Sequence, residues 1–121
     1  MTESFLLIKP IISYPRTAKA GEQYLLTIDV RLTEESPWPY AEEEFEISFL
    51  LETEPFFTHE SFDEHEPGLV LHRFGGTYGA ASWLLRAADH AVPPGEIGIV
   101  FLNAWGIPIL RITLLCEIIA G

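Results

Sequence analysis

The segment YLLTIDVRL, residues 24–32, places an apolar side chain at every second position. One face carries Tyr24, Leu26, Ile28, Val30 and Leu32, and the other carries Thr27, Asp29 and Arg31. Successive side chains of a β-strand point to opposite faces, so a period of two is typical of a strand with one buried face. The segment therefore predicts a strand that turns its apolar face toward a core.

A second segment, FEISFLLE at residues 45–52, repeats the alternation. Its inward positions are Phe45, Ile47, Phe49 and Leu51, and its outward positions include Glu46 and Ser48. Other apolar segments bounded by glycine and proline predict further short strands. They are FLLIKPIIS, GLVLHRF, EIGIVFLNAW and IPILRITLLCEII, with AWGIP as a hairpin connection between the last two. Pro10 cannot donate a ladder hydrogen bond, so the first of these strands is expected at a sheet edge or with a kink.

Residues 80–91, AASWLLRAADHA, fit two kinds of secondary structure. Helical spacing relates Leu84, Ala87, Ala88 and Ala91, whereas strand alternation relates Ala81, Trp83, Leu85 and Ala87. The segment is short and lies between a glycine-rich turn and VPPGE, which favours the strand. The pattern alone leaves the helix open.

Roughly seven short strands separated by turns predict an all-β, antiparallel β-sandwich. The chain has 121 residues, of which 48% are hydrophobic, and this is enough for one packed core. We therefore expect residues 1–121 to form a single β-sandwich domain.

Two parts of the sequence resemble bacterial immunoglobulin-like modules. VPPGEIGIVFLNAWGIPILRITL is similar to their paired last strands, and AGEQYLLTIDVRL to an early strand entered through a glycine turn. The resemblance implies an immunoglobulin-like β-sandwich that serves as an interaction or spacer module. SYPRTAKAGEQYLLTIDV, WPYAEEEFEISFLL and VLHRFGGTYGAASWLLRAA also resemble an uncharacterised module of bacterial multidomain signalling or conflict proteins, which implies an adaptor role and no catalytic residue.

The charge balance narrows the choice of partner. The chain carries 18 acidic residues against 7 Lys and Arg, for a net charge of −11. The cations are scattered from Lys9 to Arg111, so nucleic acid and anionic membranes are not expected partners. A protein with a basic surface is the better electrostatic match.

Cys116 is the only cysteine, so the chain forms no internal disulfide. It lies in an apolar segment and is expected to be a small buried residue rather than a reactive thiol. The N-terminal residues lack a basic region ahead of their apolar run and a small-residue cleavage site, and a signal peptide is not expected. The expected location is cytoplasmic.

Two clusters contain residue types that occur in phosphate-binding and metal-binding sites, but neither has the spacing of such a site. Gly75, Gly76 and Gly79 lack the lysine and spacing of a phosphate loop and predict a turn. Residues 59–66 collect two histidines and several carboxylates, yet match no zinc or calcium spacing and are expected to form a solvated acidic loop. We predict no catalytic residue, no cofactor and no metal site, and leave metal binding by this loop open.

Aromatic and acidic residues in loops are the better candidates for binding. Large rigid aromatics beside charge are common interface anchors, although they also cover the ends of sandwiches. The predicted partner-binding residues are Trp38, Tyr40, Glu42, Glu43, Glu44, Tyr78 and Trp105.

Three classes of function follow from these observations. The preferred class is a non-catalytic protein-interaction module that docks a partner through acidic and aromatic loops or a sheet edge. A homodimer in which apolar strands such as IPILRITLL pair across a two-fold axis is the alternative. A small enzyme or ligand-binding protein is the third class.

Overall fold

The structure, a computed structural model, describes residues 8–33, 44–62, 68–72, 77–78 and 81–120. These residues form ten β-strands: β1 (Ile8–Ser13), β2 (Thr17–Lys19), β3 (Gln23–Leu32), β4 (Glu44–Glu52), β5 (Phe57–Ser61), β6 (Gly68–His72), β7 (Thr77–Tyr78), β8 (Ser82–Ala87), β9 (Val92–Leu102) and β10 (Pro108–Ile119). Within these ranges, no helix is long and apolar enough to cross a membrane.

The strands form two sheets with a shared core. One sheet has four strands in the order β1-β3-β8-β5, and the other has six in the order β2-β10-β9-β4-β6-β7. Neighbouring strands are antiparallel except β2, which runs parallel to the end of β10. Buried residues of both sheets belong to one hydrophobic cluster, so the two inner faces pack together. The predicted all-β, immunoglobulin-like sandwich is confirmed, while the single-domain assignment stays a prediction.

The core is built from the alternating positions that the sequence indicates. Leu26, Ile28 and Val30 are buried on β3, and Phe45 and Ile47 are buried on β4. Each fully buried aliphatic side chain contributes about 1.5–3 kcal/mol relative to leaving it exposed. The other assigned inward residues of these strands, Tyr24, Leu32, Phe49 and Leu51, are partly buried and pack against the same core.

Residues 80–91 contain a strand rather than a helix. β8 lies between β3 and β5 and pairs with both. Ala81, Trp83, Leu85 and Ala87 are buried, as strand alternation requires. Small alanine side chains suit this interior position, where close packing against the other sheet outweighs their helix propensity.

Pro10 lies in an edge strand, as expected. The Ile28 N–H donates to the Ala81 carbonyl at 2.8 Å, so the Ile28 backbone points toward β8. The backbone N–H and C=O groups of Ile12 on β1, which pairs with Ile28, must then point away from β3. The backbone of Pro10, two residues earlier, has the same orientation. The residue without an N–H therefore faces the outer side of β1.

The described strands outnumber the roughly seven that the pattern indicates. Residues 17–19 form the additional strand β2, and the glycine turn ahead of β3 follows at Gly21, where φ is 77°. The acidic loop expected from residue 59 instead begins in β5. Short edge strands of this kind are held by neighbouring strands, and their own sequences carry little alternation.

Candidate functional site

The connection between β9 and β10 is a hydrogen-bonded turn at residues 103–107. The Asn103 side-chain carbonyl accepts hydrogen bonds from the N–H groups of Trp105 and Ile107, each at 2.9 Å. The Asn103 N–H donates to the Ile107 carbonyl, and the Gly106 N–H donates to the Asn103 carbonyl. Gly106 has φ of 76°, a left-handed conformation that glycine adopts without steric cost. One asparagine thus orders the whole turn.

This turn holds Trp105 partly in solvent. Its ring centroid lies 5.6 Å from that of Phe45, with the two planes at 59°. Phe45 belongs to the core, yet 68% of Trp105 remains exposed. The indole therefore covers the end of the sandwich with one part of its surface and offers the rest to solvent.

Apolar residues that reach solvent lie in the turn, beside it at the start of β10, and on the outer face of β4 and β9. Pairing places Ser48 of β4 beside Leu102 of β9, and Leu50 beside Val100. Leu50 is 56% exposed, and Ile107 and Ile109 are exposed as well. We call this the hairpin surface; it consists of Leu50, Leu102, Trp105, Ile107 and Ile109.

Val100 forms the floor of the hairpin surface. It is 2% exposed but lies on the outer face, outside the hydrophobic cluster between the sheets. Its cross-strand neighbours Leu50 and Arg111 are longer side chains. Arg111 donates to Glu52 across β9 at 2.9 Å, and this exposed ion pair ends the apolar strip. An exposed pair of this kind contributes about 0–1 kcal/mol.

The hairpin surface has an acidic border. Glu44 and Glu46 are exposed on the same outer face of β4 as Leu50. Within the described part of the chain, neither carboxylate forms an ion pair. The border is therefore a source of negative potential beside exposed apolar side chains.

The structure describes some of the predicted binding residues. Trp105 and Glu44 lie at the same end of the sandwich, because Glu44 precedes Phe45, on which the indole packs. The backbone of Tyr78 pairs with Val70, which pairs with Glu46. The predicted residues Trp38, Tyr40, Glu42 and Glu43 lie outside the described residues.

The acidic segment at residues 59–66 is described only in part. His59 and Glu60 lie on β5, and the His59 Nδ1 atom is 2.7 Å from the Thr53 hydroxyl, which donates to the Phe57 carbonyl. His59 thus helps to close the turn between β4 and β5. Among the described residues, no group of three or more metal-ligating side chains comes together. Gly75, Gly76 and Gly79 lie outside the described ranges.

Two shallow depressions lie along β5 and β8. The larger, about 260 Å³, is lined by Gln23, Thr58, His59, Glu60, Leu84 and Arg86. The smaller, about 140 Å³, is lined mainly by the β4–β5 turn and the end of β8. Ligand sites of small molecules are usually 300–1,000 Å³ and enclose most of the ligand. These depressions support no specific ligand chemistry.

Cys116 is buried on the inner face of β10. Burial raises the pKa of its thiol, because a thiolate would lose its hydration. A raised pKa lowers the thiolate fraction and hence the reactivity of the group. The structural role expected for this cysteine agrees with its burial.

Sequence reasoning missed the aliphatic members of the hairpin surface. The alternation of residues 45–52 places Leu50 on the outward face, which was a usable signal. Ile107 and Ile109 flank Pro108 in an apolar segment, and nothing local distinguishes these exposed residues from core residues. Their exposure depends on the turn and on the register of β10.

Two packed sheets with this strand order define an immunoglobulin-like β-sandwich, and solved structures share the fold. A crystal structure of native alpha-2-macroglobulin from Escherichia coli, spanning domain MG7 to the C-terminus, matches 95% of this chain with a TM-score of 0.67 and 13% identity. The cohesin module from a Clostridium perfringens ATCC13124 family 33 glycoside hydrolase matches 97% of this chain with a TM-score of 0.56 and 11% identity.

The chain spans 17% of the macroglobulin chain and 100% of the cohesin module. At these identities the likeness concerns the fold alone. No protein-family model and no curated protein matches the sequence. The expected resemblance to bacterial immunoglobulin-like modules is thus confirmed for the fold, while the resemblance to a module of signalling or conflict proteins stays a prediction.

Proposed function

We propose that this protein is a non-catalytic interaction module that docks a protein partner through the hairpin surface. The observation that carries the proposal is an ordered turn that keeps Trp105 68% exposed. An exposed tryptophan in a fixed conformation binds without losing much conformational entropy, and tryptophan is enriched among the residues that dominate binding energy. The similarity to a cohesin module and to a macroglobulin segment supports a role in interaction or structure rather than catalysis.

The chemistry of the partner follows from the border of the surface. Glu44 and Glu46 flank the apolar strip, and the chain as a whole carries a charge of −11. A partner that presents lysine or arginine around an apolar contact would be attracted at long range and would satisfy both parts of the surface. A cytoplasmic adaptor role within a bacterial signalling or defence protein belongs to the same proposal.

Selection from a library of displayed peptides on the immobilised protein tests the docking role. Binders are then titrated against the wild type and Trp105→Ala. We expect the substitution to weaken binding at least about tenfold, because it removes the anchor. Phe62→Ala is the matched control, since Phe62 is an exposed aromatic beyond β5 of the other sheet. Equal affinities for wild type and Trp105→Ala would contradict the proposal.

A second pair of variants tests the preference for a basic partner. Glu44→Lys with Glu46→Lys should weaken the selected binders and flatten the salt dependence of their affinity. Glu22→Lys with Glu54→Lys changes the net charge equally at exposed sites away from the hairpin surface. If both double variants behave alike, only the net charge matters and the acidic border is not part of the site.

A further inference from the structure

β10 is paired on both sides over only part of its length. On one side it pairs with β9 from Pro108 to Ile118. On the other side β2 covers residues 117–119 alone. Residues 110–115, which we call the open edge, have no strand beside them on that side in the described part of the chain.

The backbone of the open edge presents unused hydrogen-bonding groups. The Glu117 N–H donates to the Arg16 carbonyl, and the Ile119 carbonyl accepts from Ala20, so odd-numbered residues of β10 point toward β2. The register with β9 is continuous from Leu110 to Cys116. By the period of two, the N–H and C=O groups of Arg111, Thr113 and Leu115 also point away from β9. No described group bonds to them there.

The burial of side chains on the inner face of β10 changes where β2 ends. Cys116 and Ile118, on the inner face beside β2, are each 1% exposed. Leu110, Ile112 and Leu114 lie on the same face of the same strand but are only half-buried. A further strand along the open edge would cover these three side chains.

The other described edges are less able to accept a strand. Pro10 removes a donor from the outer side of β1, while β2 and β7 have three and two residues. β5 has five residues, and the turn at Thr53 already occupies the N–H and C=O groups of Phe57. Natural proteins commonly blunt edges in these ways. The open edge has no proline, and its one charge, Arg111, is paired with Glu52.

We propose that the open edge pairs with the open edge of a second copy of this chain, antiparallel and centred on Thr113. The three outward-pointing residues are symmetric about Thr113, so Arg111 would pair with Leu115 of the second copy, with about six hydrogen bonds in all. The β2 contact at Glu117 and the proline at Pro108 limit the pairing to this window. A two-fold contact of this kind closes on itself and yields a dimer.

A second copy suits this edge better than a charged partner does. The strip is nearly neutral and apolar, so an identical strip meets it without a local charge conflict. The two chains still repel at long range, because each carries −11. Salt screens that repulsion, so added salt should strengthen the dimer, whereas it should weaken docking of a basic partner.

Sedimentation equilibrium on the full chain, over a range of concentrations and at low and high salt, tests the dimer. We expect the mass to rise with concentration from 13.6 kDa toward twice that value, and to rise earlier at high salt. Leu115→Lys adds a charge at a position that is already 61% exposed, and it should raise the dissociation constant about tenfold or more.

Leu50→Lys is the matched control. It introduces the same charge on the outer face of the same sheet, at a similarly exposed leucine. That leucine belongs to β4, which has a neighbouring strand on both sides. We expect it to leave the dimer constant nearly unchanged. Thr113→Pro removes one donor on the open side, as Pro10 does in β1, and it should also abolish the dimer. The Leu115→Lys result decides the matter if the proline variant does not fold.

Amide hydrogen exchange locates the contact. In the dimer, the amides of Arg111, Thr113 and Leu115 should become protected as concentration rises, and those of Ile112 and Leu114, already bonded to β9, should not change. A chain that stays monomeric at millimolar concentration overturns the proposal. So does a dimer that Leu50→Lys disrupts and Leu115→Lys does not, and so does growth into open-ended assemblies.

Discussion

The two ends of β10 differ although they belong to one strand of similar composition. Beside β2, Cys116 and Ile118 are inaccessible to solvent, whereas two residues earlier Leu114 on the same face is half-buried. Leucine is larger and more apolar than cysteine, so hydrophobicity does not explain the order. The difference is the presence of a neighbouring strand, and three residues of β2 are enough to seal the end of the sheet.

This comparison separates two uses of an apolar strand. Where β2 covers β10, apolar side chains supply stability and the thiol of Cys116 is buried. Where β10 is open, similar side chains and free backbone groups are available for association. The hairpin surface at the start of β10 is a third case, because there a turn holds the apolar side chains in solvent.

The largest expected effect concerns stability. Ile118→Ala should lower the free energy of unfolding by about 2–5 kcal/mol, because it empties a fully packed site. Ile112→Ala should cost clearly less, since that side chain is already partly hydrated. Urea unfolding of the two variants measures the difference. Equal losses would mean that the open edge is as well packed as the covered end.

A thiol reagent can compare positions 115 and 116, which are neighbours on β10 but lie on its opposite faces. Cys116 should react slowly with a thiol reagent in the folded protein, because burial excludes the reagent and raises the pKa of the thiol. Leu115→Cys adds an exposed thiol that should react about a hundredfold faster. Raising the pH toward the raised pKa should accelerate Cys116, and unfolding should remove the contrast. A fast-reacting wild type would refute the assigned alternation.

Hydrogen exchange of the dilute monomer should show an alternating pattern along the open edge. Ile112 and Leu114 donate toward β9, and we expect them to exchange at least about tenfold more slowly than Arg111 and Thr113. The Glu117 amide should also exchange slowly, although its N–H points away from β9, because that N–H donates to the Arg16 carbonyl. Uniform protection of residues 110–115 at low concentration would show that another segment covers the edge.

The smallest effect is expected for the ion pair across β9. Arg111→Ala should lower stability by about 0–1 kcal/mol, because both partners are exposed. The loss should shrink further in high salt, as screening requires. Thermal unfolding of this variant measures the loss, with Arg86→Ala as the control. Arg86 is an exposed arginine on β8 that forms no ion pair with another described residue. A larger loss would assign the pair a structural role at the boundary of the hairpin surface.

The candidate site was predictable in part. Trp105 stood out as an aromatic in a short hairpin connection, and Glu44 as the end of an acidic run. The ring contact between Trp105 and Phe45 joins residues 60 positions apart, and no local pattern encodes it. The open edge was visible only as an apolar segment, since the segment does not reveal which of its sides a neighbour occupies.

Local sequence determined the strands, because a period of two in side-chain polarity leaves a chain little choice but to pleat with one face buried. It also determined the acidic character that favours a basic partner. Pro10 in the sequence also indicated that β1 lies at an edge. Tertiary structure alone decided where β2 stops and which part of β10 lies open. Those properties arise from hydrogen bonds between distant segments, and such pairing depends on the geometry of the whole sheet.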